Sequence, residues 1–164
     1  MTSDTFDVVS TREFAAPATQ VWRAWSEPEY VTQWWGPVGF TCPSAELDFR
    51  VGGTSLVCMR APAEFGGLEM FTTWTYRRIE PVHSIEYDVR FTDGKGGSVP
   101  RPPGVPPVVP HLVTFTSIAA DRTAMTVTEF GYPSEQVRDQ SKLGLEQCLD
   151  KMTALLESNR APLT

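Results

Sequence analysis

Alternation of apolar and polar residues is clearest from Ser84 to Phe91. Ile85, Tyr87, Val89 and Phe91 fall on one side there, and Glu86, Asp88 and Arg90 on the other. A period of two with one wet face predicts an antiparallel strand. Similar texture predicts strands over 5–14, 54–60, 71–79, 111–118 and 123–130, with a short one at 46–49 running into a Gly52-Gly53 turn. The last pair reads as a hairpin joined by Ala119-Ala120-Asp121-Arg122. Helical spacing replaces alternation in three places. Val21, Trp22 and Trp25 form a stripe over 17–26, where Pro17 suits a first helical turn because it has no N–H to leave unpaired. Pro28 opens a second short helix to residue 35, and Trp34, Trp35 and Phe40 crowd the Gly36-Pro37 turn that ends it. Ser134 is a good N-cap for the longest helix, whose apolar face runs through Ser141, Leu145, Cys148, Leu149, Met152, Leu155 and Leu156.

Two short helices, six or seven antiparallel strands and one long final helix predict a single α+β domain spanning residues 1–164. Only the last helix is long enough to cover the sheet's apolar face. A curved antiparallel sheet wrapped around that helix leaves a wedge in which a ligand could sit. Two insertions interrupt the strands, at 61–67 and at 92–110. The second is Gly/Pro-rich and ends in PRPPGVPPVVP, which excludes regular hydrogen-bonded structure and predicts a stiff loop at the mouth of the domain.

Composition narrows the function classes. A chain of 164 residues is about one domain long and buries roughly two-thirds of its unfolded surface. Net charge is −6 with only three lysines, which argues against a nucleic-acid partner. The opening MTSDTFDVV has neither a basic start nor a long apolar run, so neither a signal peptide nor a membrane anchor is expected there. Three widely spaced cysteines read as reduced, packed residues of a cytoplasmic protein. Two distant histidines and these cysteines match no standard metal-ligand spacing, and no cofactor is implied.

The segment REFAAPATQVWRAWSEPEYVTQWWGPVGF from Arg12 to Phe40 resembles the activator of heat-shock protein 90 ATPase homologue family, in its C-terminal-domain-like form. The likeness continues through LDFRVGG at 47–53, YRRIEP at 76–81, VTFTS at 113–117, Thr123 to Glu129 and the LxxxLxxM pattern of the last helix. It implies the START-like, polyketide-cyclase-like superfamily and the helix-grip fold of the birch-pollen allergens. Gly144-Leu145 stands where many relatives have Gly-Trp, so a larger pocket beside Leu145 is expected.

Aromatic area without a nucleophile–base spacing points to binding of a small apolar or aromatic molecule between sheet and helix. Candidate cavity residues are Trp34, Trp35, Phe40, Trp74, Tyr76, Tyr87, His111, Phe115, Glu129, Leu145 and Leu149. His111 shares parity with Val113 and Phe115, and Glu129 with Met125 and Val127, which turns both toward the cavity. Asp48 and Arg50 are candidate polar anchors, with mutual pairing at a strand end as the plainer reading. A cyclase-, aromatase- or hydrolase-like enzyme is the first alternative. It requires His111, Glu129, Arg50 or a tyrosine to converge on one point. A chaperone-related interaction module is the second. If the chain self-associates, a homodimer is the expected assembly.

Overall fold

A computed structural model describes residues 4–158. Strand β1 (Phe6–Phe14) buries Val8, Ser10 and Phe14, keeps Phe6 and Arg12 half-buried on the same face and turns Asp7, Val9, Thr11 and Glu13 outward, the alternation its sequence calls for. Helices α1 (Ala18–Ser26) and α2 (Pro28–Trp34) follow. Pro17 sits at the N-cap of α1, where its carbonyl accepts the N–H groups of Gln20 and Val21 at 3.0 and 3.1 Å. The meander is β2 (Thr41–Glu46), β3 (Thr54–Arg60), β4 (Glu69–Glu80), β5 (Ser84–Thr92), β6 (Val109–Ala119) and β7 (Arg122–Tyr132). Helix α3 (Glu135–Ser158) completes the described chain.

The seven strands lie in the order β1-β7-β6-β5-β4-β3-β2, every pair antiparallel. The two short helices therefore carry the chain from one edge of the sheet to the other. The short strand expected at 46–49 lies instead at 41–46, on the sheet's outer edge. Pro43, which reads as a breaker, is tolerated there because an edge strand needs fewer N–H groups and its register already shifts between Thr41 and Ser44. Residues 48–53 form a tight turn, with Arg50 N–H on Asp48 O and Gly53 N–H on Arg50 O. A Cβ on Gly53 would stand 2.3 Å from Asp48 O, so only glycine fits. Strand β6 begins two residues early, at Val109, and admits Pro110 near its start.

The core is aromatic at one end. Trp25, Trp34, Trp74 and Tyr87 are all buried, with ring centroids of 4.7 Å for Trp25–Trp34 and 5.3 Å for Trp74–Tyr87. Each indole N–H is satisfied: Trp34 by Ala24 O at 2.7 Å, Trp25 by Met125 Sδ at 3.2 Å, and Trp74 by Thr72 Oγ1 at 3.1 Å. Deleting one such ring would cost about 3–5 kcal/mol. Trp22, expected inside, is only half-buried, edge-on to Phe49 and Phe115.

Ser134 caps α3 by accepting the Val137 N–H at 3.2 Å. The helix is clasped to β1 by Arg12, which pairs with Glu146 at 2.8 Å and Asp150 at 3.0 Å, and by Ser10, which donates to Glu146 at 2.7 Å. Its fully buried residues all lie at or beyond Leu145: Leu145, Cys148, Leu149, Met152, Leu155 and Leu156. The first ten residues bury none, so this helix packs closely on the sheet through its C-terminal part and meets it earlier through the Ser141 hydroxyl.

Thr123, fully buried, donates from Oγ1 to Ala16 O at 2.8 Å and so ties β7 to the start of α1. Thr123→Val keeps the shape and leaves that carbonyl unpaired, which should cost about 1–3 kcal/mol in urea unfolding. A variant as stable as the parent would show that the carbonyl finds another donor.

Candidate functional site

Where α3 stops burying residues, a cavity of about 660 Å³ opens. Thr72 of β4, Val89 and Phe91 of β5, Val109 and His111 of β6, and Glu129 and Tyr132 of β7 line its sheet side. Gln136, Val137, Gln140 and Ser141 of α3 face them, Trp35 closes one side, and Pro102–Val105 of the proline-rich loop forms the rim. That rim is fitted to the helix: a Cβ on Gly104, whose φ is +80°, would meet Val137 Cγ2 at 2.5 Å. Glycine thus lets the loop lie directly on the first turns of α3.

The polar groups gather at one end. His111 and Glu129 are opposite one another in the β6–β7 register, and they are 7% and 6% exposed. The Tyr132 and Ser141 hydroxyls each lie 2.7 Å from Glu129 Oε1 and 2.8 Å from one another. Two hydroxyl protons serve these three contacts, so both can point at the carboxylate only if the Tyr132–Ser141 contact carries none. His111 Nδ1 lies 2.9 Å from Val109 O, an acceptor, which assigns that nitrogen a proton. Its Nε2 is 3.4 Å from Glu129 Oε2. The ring stacks on Tyr87 with centroids 4.9 Å apart, which fixes its plane.

Burial pushes the Glu129 carboxyl up, but His111, by hydrogen bonding and charge, and the Tyr132 and Ser141 hydroxyls outweigh it. The group ends below the ordinary carboxylate value. Burial, and then the Glu129 charge, raise the Tyr132 phenol. Burial also raises the thiols of Cys42, to about 12, and Cys148, to about 11, so both remain neutral and poorly nucleophilic. Among the described residues no three His, Cys, Asp or Glu side chains cluster as metal ligands.

Three of the sequence candidates line this cavity: Trp35, His111 and Glu129. Trp34, Trp74, Tyr76, Tyr87, Phe115, Leu145 and Leu149 are instead buried in the core, because their rings and branches fill the aromatic end and the seam under α3. Tyr76 bonds Ser55 at 2.8 Å, and burial pushes its phenol up to about 12. Phe40 lies in the turn after α2, where its carbonyl accepts Lys151 Nζ at 2.9 Å. Asp48 and Arg50 pair with each other at 2.8 Å, 44% and 69% exposed, away from the cavity. Nothing lies within 4 Å of a Cβ on Gly144, and neither it nor Leu145 lines the cavity. Thr72, Tyr132, Gln136, Gln140 and Ser141 were not foreseen, whereas the 102–105 rim belongs to the loop expected at the mouth. Tyr132 lies one residue beyond a glycine-interrupted alternation, and Ser141 reads as part of an apolar stripe.

A depressed carboxyl stabilises the fold above its unfolded value and loses that contribution as pH falls through the folded one. The stability difference between wild type and Glu129→Gln should therefore be full at neutral pH and shrink as pH falls below about 4.5. Urea unfolding across that range measures it. A difference independent of pH would mean that Glu129 is not ionised in the folded protein.

The same fold recurs in solved structures. A Chromobacterium violaceum protein is 26% identical with a TM-score of 0.77, covering 92% of this chain and 96% of its own. A Rhizobium leguminosarum protein is 28% identical with a TM-score of 0.69, covering 96% and 97%. A Silicibacter pomeroyi protein described as AHSA1 shares the fold at 18% identity and a TM-score of 0.76, covering 94% and 99%. No curated protein matches the sequence. The family model "Activator of Hsp90 ATPase homolog 1-like protein" matches residues 15–157, nearly the whole helix-grip domain, and the chain belongs to that family.

Proposed function

We propose that this protein binds a small apolar or aromatic molecule between the sheet and the first turns of α3. The observation that carries this reading is the cavity itself. Its walls are largely apolar, from Val89, Phe91, Val105, Val109 and Val137, with a fixed polar group at one end. A concave apolar site with a few convergent polar atoms is the usual form of a small-molecule site. Among the described residues neither Lys nor Arg lines it, so a neutral guest suits it better than an anion.

Convergence of His111, Glu129 and Tyr132 favours one second reading, acid–base turnover of the bound molecule. Arg50 takes no part in it. Recovery of a bound compound chemically unchanged after long incubation with wild type would count against turnover.

Fluorescence titration with Nile red, a neutral apolar dye, tests the binding reading. One saturable site is expected, and Val89→Trp, which puts a ring into the cavity, should weaken it by at least about ten-fold, equivalent to roughly 1.4 kcal/mol. The variant's melting temperature should be nearly unchanged, because the ring enters open space. A loss of about 1–3 kcal/mol in stability with dye binding unaltered would mean that the space is already packed.

A further inference from the structure

The polar end of the cavity is complete on one side and unfinished on the other. Glu129 Oε1 takes the Tyr132 and Ser141 hydroxyls, both at 2.7 Å. Glu129 Oε2 has only His111 Nε2, at 3.4 Å, beyond the range of a good N–H···O bond. Both side chains are more than nine-tenths buried and both line the cavity. Val109 O and the ionised Glu129 are both acceptors, so the ring that faces both is the imidazolium, with Nδ1–H on Val109 O and Nε2–H toward the carboxylate. A donor and a carboxylate acceptor thus stand side by side, each with bonding capacity unused, in a space whose remaining walls are largely apolar.

One small group satisfies both at once: a hydroxyl, whose oxygen accepts the His111 Nε2–H and whose proton goes to Glu129 Oε2. A carbonyl or ether could use only the histidine, and an anion would meet the Glu129 carboxylate in a lining whose one positive group, His111, that carboxylate already offsets. We infer that the ligand is a neutral hydroxylated aromatic molecule, a phenol or an enol of similar shape, held by its hydroxyl between His111 and Glu129. This rests on the binding reading above and specifies what that site takes. Ring and body then lie along Val89, Phe91 and Val109 toward the proline-rich rim.

The test compares three probes of nearly one shape, 2-naphthol, 2-methoxynaphthalene and naphthalene, by displacement of Nile red. 2-Naphthol should bind roughly ten-fold or more tightly than either of the others, the value of a hydrogen bond to a charged group. The ether, which accepts but cannot donate, should gain little over naphthalene. In Glu129→Gln the ratio of 2-naphthol to naphthalene affinity should fall to roughly two- or three-fold, the range for a neutral hydrogen bond, whatever happens to the two absolute affinities. The His111 imidazole NMR signals of wild type should move on adding 2-naphthol and stay put with naphthalene, a reading that survives if the variant fails to fold. Equal affinity for all three probes, or an unmoved His111 signal, overturns the hydroxyl assignment and leaves the binding reading standing. Nile red binding with no naphthalene derivative bound overturns it too. Failure of Nile red itself to bind removes both.

Discussion

A carboxylate buried among apolar groups persists only if its partners are supplied by the fold, and Glu129 draws them from three elements: His111 on β6, Tyr132 at the end of β7 and Ser141 on α3. The Ser141 bond is the one that spans sheet and helix. It holds the first turns of α3 at hydrogen-bonding distance from β7, while further along the helix leucines and Met152 pack directly on the sheet. The cavity lies on the other side of that clamp from the packed leucines, between the turns from Gln136 to Ser141, the sheet and the proline-rich rim.

The aromatic end of the core works in the opposite sense. Trp25, Trp34, Trp74 and Tyr87 fill their region and satisfy the three indole N–H groups internally, leaving no room for a guest. Trp35 is the transitional ring, edge-on to Trp74 at 5.2 Å and lining the cavity, with Nε1 buried and without a partner among the described residues. Over the mouth, Gly104 brings the proline-rich loop against Val137. Prolines make that loop stiff without hydrogen-bonded pairing, so the rim keeps its shape without belonging to the sheet.

Much of this was legible in the chain. Parity along β6 and β7 turned His111 and Glu129 inward, but counting outward from the 119–122 turn would set His111 against Phe130; the register shift between Ser117 and Ala119 is what makes Glu129 its partner. The long helix and the period-two face of β5 were equally plain. Legibility stopped where an answer depends on distant partners. Aromatic residues announce burial but not which side of a wall they occupy, so Trp34, Trp74, Tyr76 and Tyr87 read as cavity lining and prove to be core. The edge strand read at 46–49 lies at 41–46 because the pairing that bounds it is not written locally. Ser141, twelve residues from Glu129, had no local sign of its bond.

The central claim is that an ionised Glu129, clamped by these partners, holds the cavity open. Carbon-13 NMR of the glutamate side-chain carboxyls, assigned with Glu129→Gln and followed from neutral pH into acid, addresses it directly. The Glu129 carboxyl should show the ionised shift at pH 7 and titrate below 4.5, its ordinary value. A carboxyl that titrates above that value would be one dominated by burial rather than by His111, Tyr132 and Ser141, and would contradict the account.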